Sequence, residues 1–196
     1  MNQEKERPYL VGERVILRMA DVKDISIIKF YLENKKHLEP YEPVRPDHFY
    51  TEAYWMSELN TRLEDFNANR SVKVFIWEKS VPDRIIGVIN LNNIVMGVFH
   101  ACYLGYSLAE NKQGEGYMNE GLRLMIDYAF HQLHLHRIMA NYMPHNRRSG
   151  HVLKKLGFTV EGYARDYLMI NGKWEDHIMT SLTNENWSAG GDDVGS

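Results

Sequence analysis

Ser149 lies three residues after Asn146 in HNRRSGHVLKKLGF, and two glycines, Gly114 and Gly116, come just before an amphipathic run in ENKQGEGYMNEGLRLMIDYAF. A serine hydroxyl can hand a proton to a departing group, and a carboxamide such as that of Asn146 can hold an extended ligand. The glycines suit a different task. Without a Cβ they admit positive φ and close approach, so that successive N–H groups converge on an anion at the positive end of the following helix. The same residues also suit a ligand-free turn and caps, with Pro144 and Asn146 opening a helix and Gly157 closing it. Two phosphate-binding alternatives fail on spacing: the dinucleotide fingerprint needs glycine where Asn119 stands, and Gly-Lys-Ser/Thr is absent.

Two other groups of reactive side chains point away from chemistry. Cys102 is the single cysteine, which rules out an internal disulfide and excludes four-Cys and Cys2His2 zinc sites by count. Strand alternation places it with Leu104, Tyr106 and Leu108, as a packed residue. His131, His134 and His136 fall where a helix should end and a cation complements its dipole, with no Asp or Glu close by in sequence to complete a site. No metal is expected.

The elements that must position these residues follow from periodicity. Arg14–Met19 reads as a strand. ISIIKFYLENKKHL, after Asp21 or Asp24 as cap, reads as a helix. Glu39–Pro46 holds three prolines in eight residues and should be an exposed loop. A helix over Thr51–Asn67 carries Tyr54, Trp55, Leu59, Leu63 and Phe66, with Tyr54, Trp55 and Phe66 expected in the core. SVKVFIWEK, RIIGVINLNNIV and FHACYLGYSL form a β-meander broken at Pro82-Asp83 and Met96-Gly97. After the glycine turn come a helix from Gly116 to Leu133, a strand HRIMANYM, a short helix NRRSGHVLKKLG, and two strands joined at Asn171-Gly172. The order implies an α+β domain around one mixed sheet.

Composition sets the outer limits. The chain has 196 residues, 44% apolar and 25% charged, enough for one domain with its own core. That domain is expected over 1–187, with a small, polar, disordered tail over 188–196. A net charge of -3 gives no sequence-independent pull toward nucleic acid. The charged start and the lack of any apolar run near ~18 residues predict a cytoplasmic protein with no membrane partner.

Gln113-Gly114-Glu115-Gly116 after a strand, with Asn146-Arg147-Arg148-Ser149 and Gly157-Phe158 downstream, resembles the GNAT superfamily of N-acetyltransferases. FHACYLGYS, HRIMANYMPHN, EGYA and DYL narrow the resemblance to RimJ-type ribosomal-protein alanine N-acetyltransferases, over about Arg14 to Trp187. The resemblance implies a mixed, mostly antiparallel seven-stranded sheet flanked by about four helices. It further implies acetyl-CoA as co-substrate, with pyrophosphate held at Gln113, Gly114, Glu115, Gly116, Tyr117 and Met118. Tyr106, Leu108 and Asn146 would contact pantetheine, and Ser149 would be the acid for the departing sulfur. Asn111 departs from the family's usual Gln or Arg.

The acceptor implied is a protein N-terminus, that of ribosomal protein S5, free or in the assembling small subunit. An α-amine is roughly 14% neutral at pH 7 and a lysine roughly 0.04%, so an N-terminus needs only a weak base. No carboxylate lies between His100 and Ala109, which leaves water, or by resemblance and chemistry Glu42 or Asp166, as base. Arg45 in the same loop as Glu42 could draw polar groups of the peptide. Two alternatives stay open: a GNAT enzyme for a polyamine or drug amine, and a non-catalytic acyl-CoA binding module in ribosome assembly.

Overall fold

The computed structural model describes residues 5–24, 26–81 and 83–189, so the expected tail lies outside it from 190 onward. Eight strands form one sheet in the order β1-β2-β3-β4-β5-β6-β8-β7: β1 Tyr9–Val11, β2 Val15–Arg18, β3 Val72–Glu78, β4 Ile85–Val95, β5 Ala101–Leu108, β6 Arg137–Met139, β7 Thr159–Ile170 and β8 Lys173–Thr183. Every neighbouring pair is antiparallel except β5 with β6, which run parallel.

Each face of the sheet is buried by helices, and β3 shows how the sequence arranges it. Its alternation sends Val72, Val74 and Ile76 to a core shared with Leu122 and Met125 of α4 (Tyr117–Asp127) and Leu153 of α5 (Arg147–Lys155). Phe75 and Trp77 go to the opposite face. They pack there with Ile27 and Phe30 of α1 (Ser26–Glu33) and with Trp55 and Leu59 of α3 (Glu52–Asn67). Trp55 and Phe66 are buried as expected, on opposite faces, and Tyr54 packs against the α1/α3 cluster. Thr51 caps α3 by accepting from the Tyr54 N–H at 3.3 Å.

Four expectations change. The sheet has eight strands rather than seven because Tyr9–Val11 pairs with β2, and three residues between Pro8 and Gly12 are too few to show a period of two. Among the described residues there are five α-helices rather than about four because the long first helix breaks at Asn34 (φ -105°, ψ 9°), leaving the four-residue α2 (Lys35–Leu38). The Asn34 carboxamide causes the break, donating to Phe30 C=O at 2.8 Å and accepting the Glu110 N–H at 2.9 Å. The expected loop over Glu39–Pro46 opens with a 3-10 turn, Glu39–Tyr41, and a second such turn, Asp47–Tyr50, follows it and buries Phe49. The expected strand over His136–Met143 keeps only Arg137–Met139 in the sheet, with Tyr142 in an isolated bridge to Ile178. Asn171 and Gly172 both have positive φ (45° and 76°), as a two-residue hairpin turn requires. Among the described residues no helix is long and apolar enough to cross a membrane.

Candidate active site

The shortened β6 produces the central feature. Ala101, Cys102 and Tyr103 of β5 pair with Arg137, Ile138 and Met139, and there the pairing stops. Ala140 and Tyr142 turn instead to β8, through Ala140 N–H to Thr180 C=O at 3.0 Å and a reciprocal bond pair with Ile178. Beyond Tyr103 the β5 edge on that side therefore has no strand partner among the described residues. Its backbone groups are free to pair with an extended, amide-bearing ligand.

The glycine turn closes one end of this opening. Gly114 (φ 79°) and Gly116 (φ 87°) both adopt left-handed backbone, and Gly116 is the N-cap of α4. At Gly114 an added Cβ would meet nothing within 4 Å, whereas at Gly116 it would come 3.3 Å from the Arg14 guanidinium. Room for a ligand is thus a reason for glycine only at 114; at 116 the reasons are φ and Arg14. The N–H groups from Gly114 to Asn119 find no acceptor among the described residues, and the first paired amide is Glu120 N–H on Gly116 C=O at 3.1 Å. Unpaired amides at a helix N-terminus fit a diphosphate. Tyr117 and Met118 are buried, so they offer this site backbone rather than side chain. The Tyr117 hydroxyl donates to Glu78 Oε1 at 3.1 Å and pins the helix mouth to β3.

Gln113 is clamped from two sides. Its Nε2 lies 2.9 Å from His37 Nε2, and its Oε1 accepts from the Arg148 guanidinium at the start of α5. Asn111 is exposed.

At the other end of the opening, the Tyr106 hydroxyl lies 2.8 Å from Ser149 Oγ and 3.3 Å from Ser149 C=O. Burial pushes the Tyr106 phenol up to about 12, so at neutral pH it is a protonated donor. Asn146 Oδ1 accepts the Ser149 N–H at 3.2 Å and so caps α5, leaving its Nδ2 for a ligand. Leu108 and Tyr106 pack partly buried beside Cys102 and Leu104, as alternation along the strand predicts, and burial drives the Cys102 thiol up to about 12. A thiol so protonated is a poor nucleophile.

The opposite face of β5 holds the other candidates. Glu42 is largely buried in an ion pair with Arg45, which donates from Nε at 2.7 Å and lies over the rings of Tyr31 and Phe49. Burial raises the Glu42 carboxyl, against the pull of Arg45, the nearby Ser107 hydroxyl and His37. Glu42 and Arg45 line a cavity of about 180 Å³ with Tyr31, Lys35, Tyr50 and Asn171, and Glu42 C=O accepts the Asn171 N–H at 2.9 Å. β5 thus separates Tyr106 with Ser149 on one side from Ser107 with Glu42 on the other.

Asp166 is not brought into this group. It sits exposed at φ 46° in a β7 bulge, where pairing with β8 shifts between Ala164 and Leu168, and Asp176 accepts its N–H at 2.8 Å. Its neighbour Tyr167 turns toward the opening, where its hydroxyl lies 3.4 Å from Asn141 Nδ2 and close to Tyr103.

The histidine run needs a correction. Asp127, one helical turn before His131, does reach its ring, with Oδ1 2.9 Å from Nδ1 and both side chains exposed. The Trp187 indole donates to His134 C=O at 2.9 Å and its ring packs on His136, so the run anchors the C-terminal segment.

Sequence reasoning missed Arg14, His37, Asn141, Arg148 and Tyr167 as residues of this region. No spacing or motif signals them, and Glu120, an acid in the first turn of α4, is already accounted for by the helix dipole.

Known proteins resemble this chain in sequence and fold. A family model described as an acetyltransferase (GNAT) domain matches residues 14–159. The [ribosomal protein uS5]-alanine N-acetyltransferase of Escherichia coli is 43% identical over 182 residues, covering 92% of this chain and 93% of that protein. The structure of the ribosomal-protein-S5-alanine acetyltransferase of Vibrio fischeri superposes with a TM-score of 0.87 at 38% identity, over 92% of this chain and 99% of that one. Mycobacterium smegmatis RimJ in complex with CoA-disulfide superposes with a TM-score of 0.83 at 26% identity, over 93% and 88%.

Proposed function

The chain belongs to the GNAT acetyltransferase family, and on that premise we propose that it moves an acetyl group from acetyl-CoA to the N-terminal alanine of ribosomal protein uS5. Likeness to the Escherichia coli enzyme along nearly the whole length of both chains supports the substrate. The observation that carries the reading is the opening between β5 and β6, with unpaired helix-mouth amides at one end and the Tyr106–Ser149 pair at the other. It acts as one N-acetyltransferase domain over 1–187, in the cytoplasm, on uS5 free or within the assembling small subunit.

The unpaired amides of 114–118 bind the diphosphate, Gln113 N–H being taken by Glu110 C=O at 3.3 Å, and the free β5 edge and Asn146 Nδ2 hold the pantetheine arm. The peptide enters on the Glu42 side, where cationic Lys35 and Arg45 balance Glu39 and Glu42 around the cavity. A polyamine would select an acid-rich slot, so this balance favours a peptide. The amine attacks the thioester carbonyl directly, Ser149 gives its proton to the leaving sulfur, and Tyr106 supplies Ser149. Glu42, held close to β5, is a better placed base than the exposed Asp166.

Because Tyr106 holds its proton up to about 12, the acid side of the reaction stays competent across the working range. Turnover should therefore rise with deprotonation of the peptide amine, around pH 7–8, and show no falling limb below pH ~10. A pH profile of kcat checks this.

The direct test gives the purified protein acetyl-CoA with a uS5 N-terminal peptide beginning with alanine, or with spermidine, and reads products by mass spectrometry. Acetylation of the peptide α-amine alone supports the proposal. Preferential modification of spermidine refutes the acceptor, and CoA binding without any transfer reduces the protein to a binding module.

A further inference from the structure

Arg14 immediately precedes β2, outside every segment assigned above to the ligand, yet its side chain reaches across to the glycine turn. Nη1 donates to Glu115 C=O at 2.9 Å, Nε pairs with Glu120 Oε2 at 3.0 Å, and the guanidinium carbon lies 4.5 Å from the Tyr117 ring centroid. Glu120 completes the link, since its Oε1 also accepts the backbone N–H groups of Arg14 (2.7 Å) and Val15 (3.3 Å). Burial works against the charge on Glu120, but these bonds from Arg14 and Val15 hold its carboxyl below the usual carboxylate range. The first turn of α4 is therefore fastened to the edge of the sheet through one guanidinium.

The geometry of a trans peptide turns this contact into a statement about binding. In a planar unit the C=O of one residue and the N–H of the next point in opposite directions. With Glu115 C=O fixed on Arg14, Gly116 N–H points away from the guanidinium, and it belongs to the run of amides from 114 to 119 that find no acceptor among the described residues. Gly116 has no Cβ to hold this plane against rotation, so an external contact must do it.

We propose that Arg14 is a positioning residue for the diphosphate site, holding the Glu115–Gly116 peptide plane so that Gly116 N–H joins the ligand-binding amides. The inference rests on the acetyl-CoA reading above. It differs from charge attraction, because Lys at 14 would keep the charge but could not serve the carbonyl, Glu120 and the Tyr117 ring together.

Two ligands separate the alternatives: CoA, which has the diphosphate, and pantetheine, which lacks it. For Arg14→Ala we expect Kd for CoA by calorimetry, and KM for acetyl-CoA, to rise about tenfold, the effect of one weakened hydrogen bond to a charged group. kcat, and kcat/KM with acetyl-pantetheine, should stay within about twofold of wild type. Arg14→Lys should behave like Arg14→Ala, which also covers the case of an alanine variant that folds poorly. The proposal is overturned if CoA affinity is unchanged, if both donors lose equally, or if Lys restores full affinity. Failure of the wild type to bind CoA would count against the acetyltransferase reading instead, and it would be seen before any variant was made.

Discussion

Gly116→Val should lower CoA affinity by at least about a hundredfold while the protein still folds. The side chain would have to adopt φ 87° at the N-cap of α4, a conformation that costs a residue with a Cβ about 1–2 kcal/mol and a β-branched one more. The new Cβ would also press on the Arg14 guanidinium, 3.3 Å away. The helix mouth can relieve both only by rotating the peptide planes whose N–H groups face the diphosphate. Two lost bonds to a charged ligand, at about 1.5–3 kcal/mol each, give the stated loss. Gly114→Ala is the comparison that leaves Arg14 untouched: its Cβ meets nothing of the protein within 4 Å, so any loss there comes from strain at φ 79° and from filled ligand space rather than from pressure on the guanidinium. Calorimetry with CoA and a thermal melt on each variant decide the matter. A Gly116→Val protein that melts like wild type and binds CoA within a few-fold would remove the helix mouth from the mechanism.

Tyr106→Phe and Ser149→Ala should each reduce kcat about a hundredfold with little change in CoA affinity, as expected for loss of an acid that works only as the thiolate leaves. Their hydroxyls are 2.8 Å apart, so either substitution cuts the same proton path, although in Ser149→Ala the Tyr106 hydroxyl keeps the backbone C=O of residue 149 as acceptor at 3.3 Å. The double variant should therefore be little worse than the singles, the non-additivity of residues acting as a unit. Single-turnover rates with the uS5 peptide measure this. Unchanged turnover in Ser149→Ala would leave Ser149 as part of the α5 cap alone, and additive losses would separate the two roles.

Backbone demands were the easiest part of this protein to read from its residues. Glycine before an amphipathic run, Asn-Gly between two strands and Asn three before Ser each tie a residue type to a local conformation, and Gly114, Gly116, Asn171, Gly172 and Asn146 all do what their types imply. What could not be read is closure in space. Tyr106 and Ser149 are 43 residues apart, and Arg14 and Glu115 are 101 apart, separations that no periodicity records. The break at Asn34 was hidden for a related reason: its neighbours have good helical spacing, and only a distant partner, Glu110 N–H, makes the interruption favourable. Asp166 shows the same limit, since in sequence a carboxylate looks alike in a bulge on an outer strand and in a groove.

The strand from Ala101 to Leu108 is one residue thick, and successive side chains face two different chambers. On the proposed function, donor and peptide approach from the two sides of this strand and meet at its free edge beyond Tyr103, so that each wall can vary by itself. Exchanging residues on the Ser107 wall could redirect the enzyme to a new N-terminus and leave the handling of the acyl donor intact, which makes this strand the natural place to begin re-engineering its selectivity.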